Sequence, residues 1–174
     1  MRNDRELVQL LHTLDRLPSD SLEYPQGFDA NLALAKAKGL AERLSIDFSS
    51  AWRVAPNQDA NYYFAVEPED FESGPLVGIR LSNFGNLAAV TTPRPDSHPD
   101  LEQAVADGVL SPGQRDLIVV ALDAIGYTLI PQYLLHRRYD GISKIAEMGK
   151  RDLLLTYPDD LGHAAWWNRF FEYI

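Results

Sequence analysis

The chain contains no cysteine among its 174 residues. Without cysteine there can be no disulfide, thiolate zinc site, iron–sulfur cluster or thiol-based catalysis. The absence agrees with a reducing cytoplasm, where disulfides rarely persist. We therefore expect a cytoplasmic protein without a cofactor, long enough to bury a substantial core without covalent cross-links.

Long hydrophobic runs are also missing from the sequence. No window approaches the ~20 consecutive apolar residues that a membrane-spanning helix needs. The first residues, from Met1 to Glu6, carry charges of both signs, whereas a secretory signal has a basic segment followed by an apolar run. We expect a soluble chain that does not use a membrane.

Positive charge is scarce. Lys and Arg number 16 against 25 Asp and Glu, which gives a formal net charge of −9. Sequence-independent binding to nucleic acid requires clustered Lys and Arg that displace counterions from phosphates, so we expect no nucleic-acid partner. An acidic surface favours a basic partner, although acidity also serves solubility alone.

No motif in the sequence names a reaction. A glycine-rich phosphate loop, a Gly-x-Ser-x-Gly elbow and a His-Glu-x-x-His pair are all absent. The best cluster of reactive side chains is Asp159, Asp160 and His163. Such a group could hold a divalent cation or transfer protons, but two acids before a helix more often stabilise its positive end. An enzyme that uses these three residues is an alternative hypothesis, and we assign no metal.

The densest acidic run surrounds a single proline. It comprises Glu67, Glu69, Asp70, Phe71 and Glu72. One interpretation is a docking surface for a basic partner with the phenylalanine as an anchor. The other is a solvated loop between two strands, which is the usual role of a charged run.

Two helices are predicted at the beginning of the chain. Asn3 and Glu6 have the spacing of a capping box, and the apolar stripe that follows ends before Pro18. Asp29 then caps a second helix that we expect to run to about Leu44.

Alternating apolar and polar residues predict a sheet of about four antiparallel strands in residues 46–92, beginning with Ile46 and Phe48. The proline-rich stretch at about 91–99 is interpreted as an internal connector, so residues 1–174 form one domain. A C-terminal helical half follows and packs on the sheet. The predicted fold class is α+β, with two N-terminal helices and an antiparallel sheet.

The last eleven residues, 164–174, are unusually aromatic and fit one face of a helix. A helical wheel places Asn168, Arg169 and Glu172 on the opposite, polar face, where Arg169 would be a surface ion-pair partner. So short a helix needs a docking surface, and large exposed apolar patches are uncommon on monomers. We therefore favour docking into the chain's own core over a homodimer joined through this helix.

Residues 124–133, followed by Tyr139-Asp140-Gly141, resemble the helix–Gly–x–Pro–helix–Gly signature of a family of bacterial immunity proteins with a yeast relative. The resemblance covers less than a tenth of the chain and implies an interaction protein. Together with the acidic charge, it favours a small binding protein that recognises another, basic protein, such as an immunity-type inhibitor of a basic toxin. The enzyme and the homodimer remain the alternatives.

Overall fold

A computed structural model of the chain describes residues 2–19, 21–56, 64–70, 77–91, 101–147 and 164–172. These residues form an α+β fold with one five-stranded mixed sheet. The helices are α1 (Asp4–Asp15), α2 (Ala30–Phe48), α3 (Leu101–Ala106), α4 (Pro112–Ile125), α5 (Gln132–Leu135), a 3₁₀ helix (Lys144–Glu147) and α6 (Trp166–Phe170). The strands are β1 (Trp52–Pro56), β2 (Phe64–Pro68), β3 (Gly78–Leu81), β4 (Leu87–Thr91) and β5 (Thr128–Leu129).

Both N-terminal helices begin where the capping signals predict. The Asn3 side chain accepts from the Glu6 N–H at 3.0 Å, and the Glu6 carboxylate accepts from the Asn3 N–H at 2.9 Å. Asp29 Oδ1 accepts from the Asn31 N–H at 2.9 Å at the start of α2. These bonds satisfy amide groups that have no partner inside the helix, which is why local sequence fixes both starts.

The predicted end of the second helix is wrong. Helix α2 continues to Phe48, so Ile46 and Phe48 are helical and the sheet begins at Trp52. Phe48 lies one turn after Leu44 and packs against the same core, whereas Ile46 lies on another side of the helix and is 75% exposed. The helix ends at Ser49, which takes a left-handed conformation at φ 51°.

Strands β1 to β4 form the predicted antiparallel meander, in the order β1-β2-β3-β4-β5. Strand β5, which the sequence did not indicate, adds to β4 in parallel. It has only two residues, too few for a visible alternation, and its parallel direction arises because α3 and α4 carry the chain back. The predicted connector at 91–99 lies outside the described residues except for Thr91.

Helices cover both faces of the sheet where β4 runs. One core lies between the sheet and α2, α3 and α4, and the other holds α1, α5 and α6 against the opposite face. Four successive residues of β4, Leu87 to Val90, are therefore buried. A continuous apolar run is what a strand buried on both faces requires.

The aromatic end of the chain lies in the second core, as the favoured interpretation predicts. Trp166, Trp167, Phe170 and Phe171 are all buried there. The segment is held to the sheet by Arg80 of β3, which donates to the Phe171 carbonyl at 3.0 Å.

The predicted polar face of this segment is wrong, because Asn168, Arg169 and Glu172 are buried as well. The helix α6 is only five residues long, and protein surrounds it on both sides. Each polar group has a partner: Oδ1 of the Asn168 side chain accepts from the Ala165 N–H at 2.6 Å, and the Glu172 carboxylate accepts from the Trp167 indole N–H at 3.1 Å. Such pairing is the condition for burying polar groups.

Arg169 belongs to a buried ion pair and not to the surface. Its Nε lies 2.7 Å from Asp15 Oδ1, and the two side chains are 2% and 1% exposed. Asp15 Oδ2 also accepts from the Tyr139 hydroxyl at 2.6 Å and from the Ile142 N–H at 2.7 Å. Burial, with the hydrogen bond to Asp15, raises the pKa of Tyr139 to about 12. The network thus joins α1, the loop after α5 and α6.

Gly141 packs directly against this network, so we expect Gly141→Ala to disturb it. A Cβ at this position would overlap Asp15 Oδ2 and the Tyr139 hydroxyl. We expect a loss of about 2–3 kcal/mol in the free energy of unfolding in urea, because neither atom can move without breaking a buried bond. Gly113→Ala is the control, since its Cβ would meet only Ser111 Oγ at 3.9 Å. Equal effects of the two substitutions would contradict the prediction.

Candidate functional site

A cleft of about 580 Å³ opens beside the edge strand β5. Its walls come from the start of α1, from α3 and α4, and from residues 127–133. The volume lies within the roughly 300–1,000 Å³ of typical ligand pockets. The fold thus brings residues from both halves of the chain to one concave surface.

The floor of the cleft is apolar and joins the two cores. Leu7 and Ile130 belong to the core under α1, while Val90 and Leu122 belong to the core under α2 and α4. All four are buried. The half-buried side chains of Val119 and Leu129 also line the cleft, and an occupant would cover the apolar surface that they leave accessible.

Tyr127 is a polar residue among those that line the cleft. Its side chain is only 6% exposed, and its hydroxyl forms no hydrogen bond with any residue that the structure describes. The ammonium of Lys36 lies 5.7 Å from the ring centroid. Burial raises the pKa of Tyr127 to about 12, so the phenol is neutral at physiological pH and can both donate and accept.

The outer edge of β5 carries one main-chain donor and one acceptor at Leu129, a residue that lines the cleft. The Thr128 N–H donates to the Asn86 carbonyl and the Ile130 N–H to the Ala88 carbonyl, both at 2.9 Å. The N–H and C=O of Leu129, between them, point away from β4. Neither group has a hydrogen-bond partner in the described part of the chain.

The rim of the cleft is charged, with an excess of acid. The described lining holds four carboxylates against two guanidinium groups, hence a formal charge of −2: Asp4, Glu6, Glu102 and Asp123 against Arg2 and Arg115. Arg115 is already paired, with Glu102 at 2.6 Å and with Asp116 at 2.9 Å. Asp123 is exposed and forms no ion pair with a described residue. The uncompensated charge of the rim is therefore negative.

The acidic run predicted from the sequence lies elsewhere. Glu67 is part of β2 and pairs with Arg53 of β1 at 2.6 Å, so it is not a loop residue. Glu69 and Asp70 are exposed just beyond the strand. None of the three lines the cleft. Phe71 and Glu72 lie outside the described residues.

The predicted cluster of Asp159, Asp160 and His163 also lies outside the described residues, so the enzyme hypothesis built on it stays a prediction. Across the described ranges, no group of three or more His, Asp or Glu side chains could hold a metal ion. The described residues also include no helix whose length and hydropathy would suit a bilayer span.

The sequence did not indicate a cleft, although residues 127–133 belong to the stretch that carries the family resemblance stated above. Tyr127 follows the Gly126 that ends α4, and Leu129 belongs to a strand too short to recognise. Only the pairing of β5 with β4 places them beside α1. Comparison of the chain with protein-family models, with curated proteins and with solved structures finds no match in any of the three.

Proposed function

We propose that the protein binds another protein whose contact surface is basic, in the manner of an immunity-type inhibitor of a basic toxin. The observation that carries the proposal is the acid-rich rim around the apolar floor of the cleft. The formal charge of −9 on the whole chain supports the same sign of partner.

The two parts of the cleft would contribute differently to binding. An apolar side chain placed on the floor would gain about 25 cal/mol for each Å² removed from water. The rim would act mainly on the rate of association, because complementary charge accelerates encounter more than it strengthens the final contact. Asp123, exposed and without an ion pair, is the rim residue best placed to attract a cation.

The salt dependence of association tests this proposal. The purified chain is mixed with the products of the genes that flank its own, and the association rate with a binding partner is measured by stopped flow. We expect the rate to fall by about tenfold or more between about 50 and about 500 mM salt, because salt screens the exposed charges.

Two matched charge reversals locate the contact. Asp123→Lys alters the cleft rim, and Glu69→Lys alters the acidic run beyond β2; both positions are exposed. We expect Asp123→Lys to slow association several-fold more than Glu69→Lys. An association rate that does not respond to salt would overturn the proposed steering, and the absence of any partner would overturn the proposed function.

A further inference from the structure

We propose that the cleft accepts an extended segment of the partner, which pairs its main chain with the outer edge of β5 and places a Lys or Arg side chain beside Asp123. This inference rests on the proposed function of protein binding, and it adds how the partner is held and what kind of segment it offers.

The first support for this inference is the outer edge of β5. The N–H and C=O of Leu129 point away from β4 at a residue that lines the cleft, and the described chain supplies a partner for neither. An extended peptide satisfies this pair by lying alongside, which is how strands are added to exposed sheet edges. The flanking amides of Thr128 and Ile130 are fixed by β4, so the edge is already in strand geometry.

The second support for this inference is the hydroxyl group of Tyr127. The side chain is more than nine-tenths buried, but its hydroxyl is not among the described buried polar atoms that lack a partner, so the hydroxyl itself reaches solvent. The hydroxyl has no hydrogen-bond partner among the described residues, and Tyr127 is one of the residues that line the cleft. A backbone group of the bound segment would supply that partner, two residues along the chain from Leu129.

Charge decides between a basic and an acidic segment. Arg115 is engaged by two carboxylates, while Asp123 has no cationic partner in the described chain. Arg2 donates to the Thr128 hydroxyl at 3.3 Å and can contact main-chain carbonyls near the edge. The rim therefore complements a segment with Lys or Arg at the α4 side, and an acidic segment would meet an excess of carboxylates.

Hydrogen exchange on the full chain gives the direct test. Peptides are first selected on the native protein from a display library of random short peptides, and the best-enriched peptide serves as the probe. In the free protein we expect the Leu129 amide to exchange faster than those of Thr128 and Ile130. Binding should slow exchange at Leu129 by at least about tenfold, because a strand hydrogen bond protects the amide.

Three substitutions separate main-chain pairing from side-chain packing. Leu129→Pro removes the outward N–H at an edge position that tolerates proline. Leu129→Ala keeps that N–H and is its matched control. We expect Leu129→Pro to weaken peptide affinity at least about tenfold more than Leu129→Ala does. Tyr127→Phe, which breaks no bond within the described chain, should weaken affinity about fivefold without lowering the melting temperature.

The outcomes distinguish this inference from the proposed function. A partner protein that binds the chain with an affinity unchanged by Leu129→Pro and Tyr127→Phe would overturn the inference and leave protein binding intact. Selection of acidic peptides, selection of no peptide, or an unchanged exchange rate at Leu129 would also overturn it. If no protein partner is found but basic peptides slow exchange at Leu129, the result would support peptide binding in the cleft and count against the proposed function.

Discussion

A chain that lacks residues 164–174 is expected to be unfolded. The deletion removes Trp166, Trp167, Phe170 and Phe171 from the second core, where all four are almost fully buried. Truncating one such aromatic side chain to alanine typically costs about 3–5 kcal/mol. Because domains are stable by only about 5–15 kcal/mol, losing four at once exceeds what the remaining chain can supply. Far-ultraviolet circular dichroism and size-exclusion chromatography of the truncated chain measure the outcome.

The full-length Ile142→Ala variant is the control for this deletion. It removes an apolar side chain that is 71% exposed, so we expect a change of less than about 0.5 kcal/mol. A truncated chain that stays folded and becomes monomeric would contradict the prediction. It would instead favour the homodimer joined through residues 164–174. In the described structure, however, the aromatic side chains that such an interface would use are buried in the core of their own chain.

Local signals in the sequence were sufficient for the elements whose ends are fixed by their own residues. The capping box of Asn3 and Glu6 and the cap at Asp29 each satisfy main-chain groups within three residues, and the structure confirms both helix starts. The antiparallel strands β1 to β4 were predictable for a similar reason. Their alternation records which face of the sheet is buried.

Elements that depend on distant contacts were not predictable in this way. Strand β5 forms because β4 offers it an edge, and its two residues are too few to show the alternation typical of a strand. Helix α2 extends to Phe48 because the core receives that ring, a contact that its spacing from Ile46 does not reveal. Tertiary contacts routinely override local propensity in such short stretches.

The residues of the candidate site, like β5, depend on contacts between distant parts of the chain. The sequence drew attention to dense charge, at Glu67 to Glu72, and to carboxylates beside an imidazole, at Asp159 to His163. The cleft instead combines Arg2, Leu101 and Tyr127, which are far apart in the chain and share no motif. Only the parallel pairing of β5 brings them together, so no scan for spaced residues could have found them.

The buried position of Arg169 shows where a helical wheel fails. The wheel assumes that one face of a helix meets solvent, whereas α6 is a short helix enclosed on all sides. Its guanidinium is paired with Asp15, donates to the Leu22 carbonyl at 3.3 Å and lies 3.9 Å from the Phe84 ring centroid. This surrounding structure predicts a large effect for a substitution that the wheel would treat as a surface change.

Arg169→Met is expected to lower the free energy of unfolding by about 3–5 kcal/mol. The substitution keeps much of the aliphatic volume but leaves the Asp15 carboxylate buried without its counter-ion, which is the costly way to break such a pair. Arg43→Met is the matched control. Its Nε lies 2.6 Å from Asp47 Oδ2, yet the side chain is 44% exposed, so we expect a change of less than about 0.5 kcal/mol. Urea unfolding of both variants measures the difference.

A double-mutant cycle with Asp15→Asn then separates the ion pair from the packing around it. The asparagine oxygen can still accept from the Tyr139 hydroxyl and the Ile142 N–H, while the buried negative charge is gone. The double variant should therefore be more stable than the sum of the single effects implies, with a coupling of about 1–3 kcal/mol. Strictly additive effects would show that the loss in Arg169→Met comes from its contacts with Phe84 and Leu22, and would reject the buried charge as the cause.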